Sequence, residues 1–331
     1  MYKQTVLPRW RGFNLLGMFV MSSPGKFEET DFQLISDLGF DFVRLPLNYT
    51  FWIDYDDPFS INEDKMAPLD EAVRWGEKYG IHMNVALHRA PGFSVARDRV
   101  EPFDLWRDQE ALEAFKLHWT ALAKRYRGYD NKQMSFNLVN EPAAVGPAEH
   151  GRVMRATMQA IRAIDPCRLV LLDGLNYGNV PMPDLGDLAS DGVGQSCRAY
   201  IPGGLTHFRA QWVDRKRSFP DPQWPGGYAE DGLWDRERME RHYQAWAAMA
   251  EIFGMGVHCG EGGCFVNTPH DVVLKWMDDV YGIMTGLNIG YALWNFRGGF
   301  GIMDTERKDA EYVDYKGHQL DKKMYELLKK Y

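Results

Sequence analysis

Short apolar runs alternate with longer stretches of helical period along the whole chain. Eight runs stand out, at residues 12–15, 42–45, 83–87, 134–139, 169–172, 194–199, 256–260 and 290–294. Each is short and largely apolar, as expected for strands of a parallel sheet buried on both faces. Between them apolar residues recur at helical spacing. The stretch 28–38 carries Phe32, Leu34, Ile35 and Leu38, and 69–79 lies between Pro68 and Gly80, the usual start and stop chemistry of a helix. Stretches 109–126, 147–164, 235–253, 269–285 and 317–330 follow the same logic. Pro147 and Pro269 suit first turns, and Gly254 and Gly286 follow helix ends. The weakest helix is the fifth, for which 181–190 offers only a short stretch.

This alternation predicts the α/β class and a single (β/α)8 TIM barrel over residues 1–331. A chain of 331 residues would ordinarily suggest two domains, but closed barrels run to about 250 residues or more as one unit. Residues 200–234 are rich in Pro, Gly and Trp and show no period. A structureless stretch of that length is expected only where it has a function. After strand six of a barrel it would lie at the catalytic face and serve substrate binding.

Composition removes several function classes. Apolar residues make up 45% and charged residues 25% of the chain, which is ordinary globular composition. No window approaches 18 consecutive apolar residues, so no membrane span is expected. No apolar leader precedes Arg9-Trp10-Arg11-Gly12, which suggests a cytoplasmic protein, or a secreted one whose signal peptide has been removed. Net charge is −8, and Arg215-Lys216-Arg217 is too short for a nucleic-acid face. Cys167, Cys197, Cys259 and Cys264 are too scattered for a disulfide scaffold or a zinc site. The aromatic share of 14% exceeds what a core alone suggests and hints at a cleft lined with flat rings. For Trp52, Trp106, Trp212 and Trp224, loop packing and such sugar platforms are equally open roles.

Barrel active sites form where strands end. In order, those ends carry Arg44, His88, Asn140-Glu141, Tyr200, Glu261 and Trp294. Two carboxylates closing apolar strands are hard to explain as packing, because an unpaired buried charge is costly. Glycoside hydrolysis needs such a pair, with retention of configuration at a gap of about 5–5.5 Å and inversion at about 6.5–9.5 Å. Two carboxylates and water suffice, with no cofactor or metal. A metal site from His258, Cys259, Glu261 and Cys264 is disfavoured, since alternation points His258 and Cys259 to opposite faces.

Phe136-Asn137-Leu138-Val139-Asn140-Glu141-Pro142 resembles the Asn-Glu-Pro signature of glycoside hydrolase family 5, retaining barrel glycosidases with catalytic Glu after strands four and seven. Phe42-Val43-Arg44-Leu45-Pro46 is similar to the family's strand-two arginine motif, and Leu87-His88-Arg89-Ala90-Pro91-Gly92 to its strand-three histidine motif. Tyr200-Ile201-Pro202 with Thr206-His207 and Trp212 resembles its loop after strand six. Cys259-Gly260-Glu261-Gly262-Gly263 resembles its nucleophile motif, and Leu293-Trp294-Asn295-Phe296 its strand-eight tryptophan.

The resemblance implies Glu141 as acid/base, with a raised pKa, and Glu261 as nucleophile, held as a carboxylate by Arg44 and Tyr200. Asn140 would hold the sugar 2-hydroxyl, His88 other hydroxyls, and Trp294 would form the apolar floor. It further implies a β-linked glucan or mannan as partner, with endo-β-1,4-glucanase first. An exo-acting β-glucosidase or β-mannosidase is the alternative, and a non-catalytic sugar-binding barrel the rival of another class. One departure stands out: the family usually has His-x-Tyr at the end of strand six, and this chain has Arg198-Ala199-Tyr200. A guanidinium stays charged and cannot accept a hydrogen bond, so Arg198 should favour the ionised form of a nearby carboxyl and shift the alkaline limb of the pH–rate profile toward acid. Structural roles stay open for Glu141 at a helix start, Glu261 in a glycine-rich turn, and Arg44 as an ion-pair partner.

Overall fold

A computed structural model describes residues 6–96, 99–183, 187–188 and 192–331. Eight strands form the centre: β1 (Arg11–Asn14), β2 (Phe42–Asn48), β3 (His82–Ala90), β4 (Met134–Asn137), β5 (Val170–Asp173), β6 (Val193–Ala199), β7 (Val257–Gly262) and β8 (Gly290–Leu293). Each pairs in parallel with the next, and β8 closes on β1 through Gly12↔Ala292. All eight predicted strands are present, each within a few residues of its expected bounds.

Among the described residues, seven helices of 9 residues or more surround the barrel: α1 (Glu29–Asp37), α2 (Ala67–Tyr79), α3 (Gln109–Arg125), α4 (Pro147–Arg162), α5 (Arg236–Phe253), α6 (His270–Gly286) and α7 (Lys322–Lys330). Their ends follow local chemistry. Asp235 caps α5 by accepting from the Arg238 amide, and Gly80 and Gly254 close α2 and α5 in the left-handed conformation that glycine adopts without a Cβ clash.

Apolar side chains fall into two cores. The larger lies between strands and helices, and the smaller fills the barrel floor with Leu7, Trp10, Phe42, Leu169, Leu171 and Ala292. Trp10 stacks on His82 there, with ring centroids 3.7 Å apart. Gly12 has no alternative at this level, because a Cβ would stand 1.7 Å from the Phe42 carbonyl oxygen.

Three expectations change. Between β5 and β6, half of the stretch 181–190 lies outside the described residues. The rest is not helical, and before it comes a tight turn at Leu175–Gly178 with Asn176 and Tyr177 at positive φ. Residues 317–330 do not form one helix. Tyr312–Tyr315 and His318–Asp321 pair as an antiparallel hairpin, and α7 starts only after it. Gly317 (φ 85) and Lys316 (φ 55) form the hairpin turn, so the glycine marks a reversal and not a helix start. The third is the long stretch after β6, which has structure of its own: a helical turn at Gly203–Thr206 and a ribbon of Gly227–Ala229 with Gly232–Trp234. Buried Asp214 braces it by accepting from the amides of Arg209, Ser218 and Phe219.

Candidate active site

Two bulges aim the side chains that matter. His258 packs inside the barrel against Phe42, so strict alternation would turn Glu261 outward into the helix layer. The β6–β7 register slips at Gly260, so that Cys259 pairs with Cys197 but Glu261 pairs with Arg198. The extra residue turns Glu261 into the barrel mouth. A second slip, between Leu47 and Asn48 on β2, leaves His88 as the extra residue of β3.

Arg44, fully buried on β2, is the hub of one half of the site. Its guanidinium donates to Glu261 Oε1 (2.6 Å), Asn14 Oδ1 (3.0 Å), Asn137 Oδ1 (3.0 and 2.9 Å) and Asn140 Oδ1 (2.8 Å). Tyr200 donates its hydroxyl to the other Glu261 oxygen at 3.2 Å. Burial, then the charge of Glu261, pushes the Tyr200 phenol far up, so it remains a donor.

Arg198, also fully buried, is the second hub. It donates to Asp173 Oδ2, Asn140 Oδ1 (2.8 Å), Ser196 Oγ (2.9 Å), the Cys197 carbonyl (3.0 Å) and Glu141 Oε1 (3.3 Å), and lies 3.5 Å from Glu261 Oε1. One guanidinium therefore touches both strand-end glutamates.

Glu141 follows β4 in a left-handed backbone conformation (φ 48), and its amide donates to Asp173 Oδ2 at 2.8 Å. A left-handed non-glycine residue costs on the order of 1–3 kcal/mol and is held only where its surroundings enforce it. Its carboxyl is 14% exposed. Burial and the nearby Glu261 push its pKa up to about 8, against the opposing pull of Arg198. Arg198 thus pulls the Glu141 carboxyl toward its ionised form, while burial and Glu261 pull more strongly toward the protonated one.

Around these groups, His88, Trp294 and Phe19 form an aromatic wall, with ring centroids 4.5–5.5 Å apart. Burial, then Arg44 and Arg198, holds the His88 ring well below the usual histidine range, hence neutral. Asn140 Nδ2 and His88 Nδ1 are buried without a protein partner, so the amide has a hydrogen bond to give and the ring nitrogen one to give or accept according to its tautomer. His207 and Trp212 lie outside the ion network. His207 packs on Tyr200 at 5.0 Å, and Trp212, 53% exposed, continues the ring path beside Phe265 and Phe300. Of the four tryptophans singled out for the cleft, Trp52, Trp106 and Trp224 are packing residues: Trp52 donates to His118, Trp224 to Asp279, and Trp106 lies against Phe93 and His150.

Sequence reasoning passed over Asp173, Asn14, Asn137 and Phe19. Asp173 and Asn14 stand at the ends of β5 and β1, where the strand-end rule would have found them. Phe19 has no such signal, since it enters from a loop. Among the described residues, no three His, Cys, Asp or Glu side chains converge as a metal site, and no helix is long and apolar enough to cross a membrane.

The family model of Cellulase (glycosyl hydrolase family 5) matches residues 2–298. The chain is 25% identical over 306 residues to Endoglucanase C of Acetivibrio thermocellus, covering 85% of this chain and 87% of that one. It is 29% identical over 266 residues to Cellodextrinase A of Ruminococcus flavefaciens, covering 75% and 72%. The crystal structure of a glycoside hydrolase superposes with a TM-score of 0.91 at 36% identity, over 97% of this chain and 98% of that one. The barrel, its paired strand-end glutamates and a family match over most of its length agree: the chain belongs to the cellulases of glycosyl hydrolase family 5.

Proposed function

We propose that the protein is a retaining β-glycosidase that cleaves β-1,4-linked glucan chains internally. The observation that carries this is the contrast between two neighbouring glutamates. Burial and the nearby Glu261 favour the protonated form of Glu141, whereas Glu261 accepts from Arg44 and Tyr200, the environment of a carboxylate. In a double displacement Glu261 attacks the anomeric carbon while Glu141 protonates the departing oxygen. Glu141 then takes a proton from water, which attacks the glycosyl ester and restores the configuration. The free Nδ2 of Asn140 suits the sugar 2-hydroxyl, a contact that strengthens in the oxocarbenium-like transition state. Trp294 and Phe19 offer the flat apolar floor of that sugar's site, and His88 a hydroxyl partner.

Two observations favour internal cleavage of a glucan. The rings from Tyr200 through His207 to exposed Trp212 lead outward from Glu261 and give further sugar units a platform. The relatives named above are an endoglucanase and a cellodextrinase. The test is product analysis with β-1,4-linked gluco- and manno-hexasaccharides, beside Glu261→Ala. Mid-chain cuts in the gluco series, absent from the variant, are expected. Release of monosaccharide alone would replace internal cleavage with exo-action. Equal inactivity of both proteins on any β-glycoside would leave a sugar-binding barrel.

A further inference from the structure

The charged groups facing Glu141 come from four strands and the loops beyond them: Asp173 on β5, Arg198 on β6, Glu261 on β7 and Arg44 on β2. Tyr200 is a phenol, and His88 and His150 are held neutral by burial, so none adds charge. Three carboxyl groups thus share two guanidinium groups. A closed, buried set of this kind carries one surplus negative charge, which favours binding one proton.

Donors decide where that proton sits. Asp173 accepts from the Glu141 amide (2.8 Å), Asn137 Nδ2 (2.8 Å) and Arg198. Glu261 accepts from Arg44 and Tyr200. Among the described residues, the Glu141 carboxyl accepts only the long contact from Arg198. The least supported anion is the one to protonate.

We propose that Asp173 and Arg198 work as one internally neutral pair, with Asp173 as a positioning residue that cancels the charge of Arg198 and so leaves the surplus proton on Glu141. Arg198 alone would bring a cation to the acid at the position where the family motif carries a histidine. Asp173 removes that effect while pinning the Glu141 backbone. This rests on the reading of Glu141 as the acid/base.

The test is a cycle of kcat/KM against pH on cellotetraose for the wild type, Asp173→Asn, Arg198→His and the double variant, with melting curves for each. Asp173→Asn removes the cancelling charge, so its alkaline limb should move toward acid by about one pH unit or more. Arg198→His leaves Asp173 uncancelled and should move the limb the opposite way. The double variant should return to within about half a unit of wild type. Activity lost at every pH with an unmoved limb, or a double variant no nearer wild type than Asp173→Asn, overturns the proposal.

If the variants do not fold, infrared difference spectra of the wild type and Glu141→Gln decide. One buried protonated carboxyl should titrate out in the wild type above neutral pH and be missing from Glu141→Gln. Its persistence in that variant overturns the proposal. Azide rescue separates this from the parent reading: Glu141→Ala that yields no glycosyl azide and keeps full activity removes Glu141 as acid/base, whereas rescue with an unmoved limb removes only the pairing.

Discussion

Gly260→Ala is a one-carbon perturbation whose effect follows from the bulge. The glycine does not have a positive φ, so alanine meets no backbone penalty there. The added Cβ would lie 2.8 Å from Ser196 Oγ and 2.9 Å from Arg198 Nη1, with Arg44 Nε at 3.6 Å. Neither near atom can yield alone. Ser196 Oγ accepts from Arg198 at 2.9 Å, and Arg198 is tied to Asp173, Asn140 and Glu141. The strain must therefore pass into the group that touches both glutamates. Overpacking of this kind costs about 1–3 kcal/mol, a loss of a few degrees in Tm for a chain of this size. A displacement approaching 1 Å at the reacting groups lowers turnover by about 100-fold, so kcat/KM on cellotetraose should fall about 10- to 100-fold. Gly286→Ala is the control, because its Cβ would meet nothing within 4 Å; it should keep full activity and an equal or slightly higher Tm. Full activity in Gly260→Ala with a lowered Tm would refute the reasoning, since it would mean the methyl is absorbed without moving Arg198.

Two further outcomes are expected. Burial pushes His82 and His258 down to about 3 and His118 to about 4, so the folded state favours neutral rings. Their stabilisation is complete above the ordinary histidine value of about 6.5 and is lost as pH falls toward the folded values, by up to about 1.4 kcal/mol per ring and pH unit. His118 shows the geometry: Nδ1 accepts from Trp52 Nε1 at 2.9 Å while Nε2 faces the Pro58 carbonyl at 2.8 Å, so a second proton would set two donors against each other. Tm should fall between pH 7 and 4.5, less steeply in His118→Gln, and a Tm unchanged over that range contradicts the account. Trp212→Ala should raise KM for cellohexaose about fivefold, from the loss of about 1 kcal/mol of ring contact, with Tm and turnover of an aryl glucoside unchanged; an unchanged KM removes Trp212 from the substrate path.

The barrel was legible because each strand is a short apolar run, and the site because polar residues interrupt or close those runs. Arg44, His88, Asn140, Glu141, Tyr200 and Glu261 all stood out on that ground. Asp173, directly after Leu172, carried the same signal. What stayed hidden depends on partners distant in sequence. Gly260 becomes a bulge only through the register of β7 on β6, and nothing in Cys-Gly-Glu-Gly marks it. Residues 317–321 open the expected helical stretch 317–330, but 318–321 pair instead with 312–315. The segment becomes a hairpin because Lys316 and Gly317 take the turn and because Asp304, from the loop after β8, accepts from the Gln319 amide at 2.9 Å. Phe19 reaches the site wall only because tertiary packing brings its loop over His88 and Trp294.

The position of Arg198 between the two glutamates bears on how little must move during turnover. In the proposed double displacement, Glu261 would lose its negative charge on forming the glycosyl ester, and in the same step Glu141 would gain one by giving up its proton. Hydrolysis reverses the exchange. A cation 3.3 Å from one carboxyl and 3.5 Å from the other would see the anion change sides with little change in its distance. In that reading the charge would pass between two groups that already face the same guanidinium, so little rearrangement of the surrounding dipoles is required.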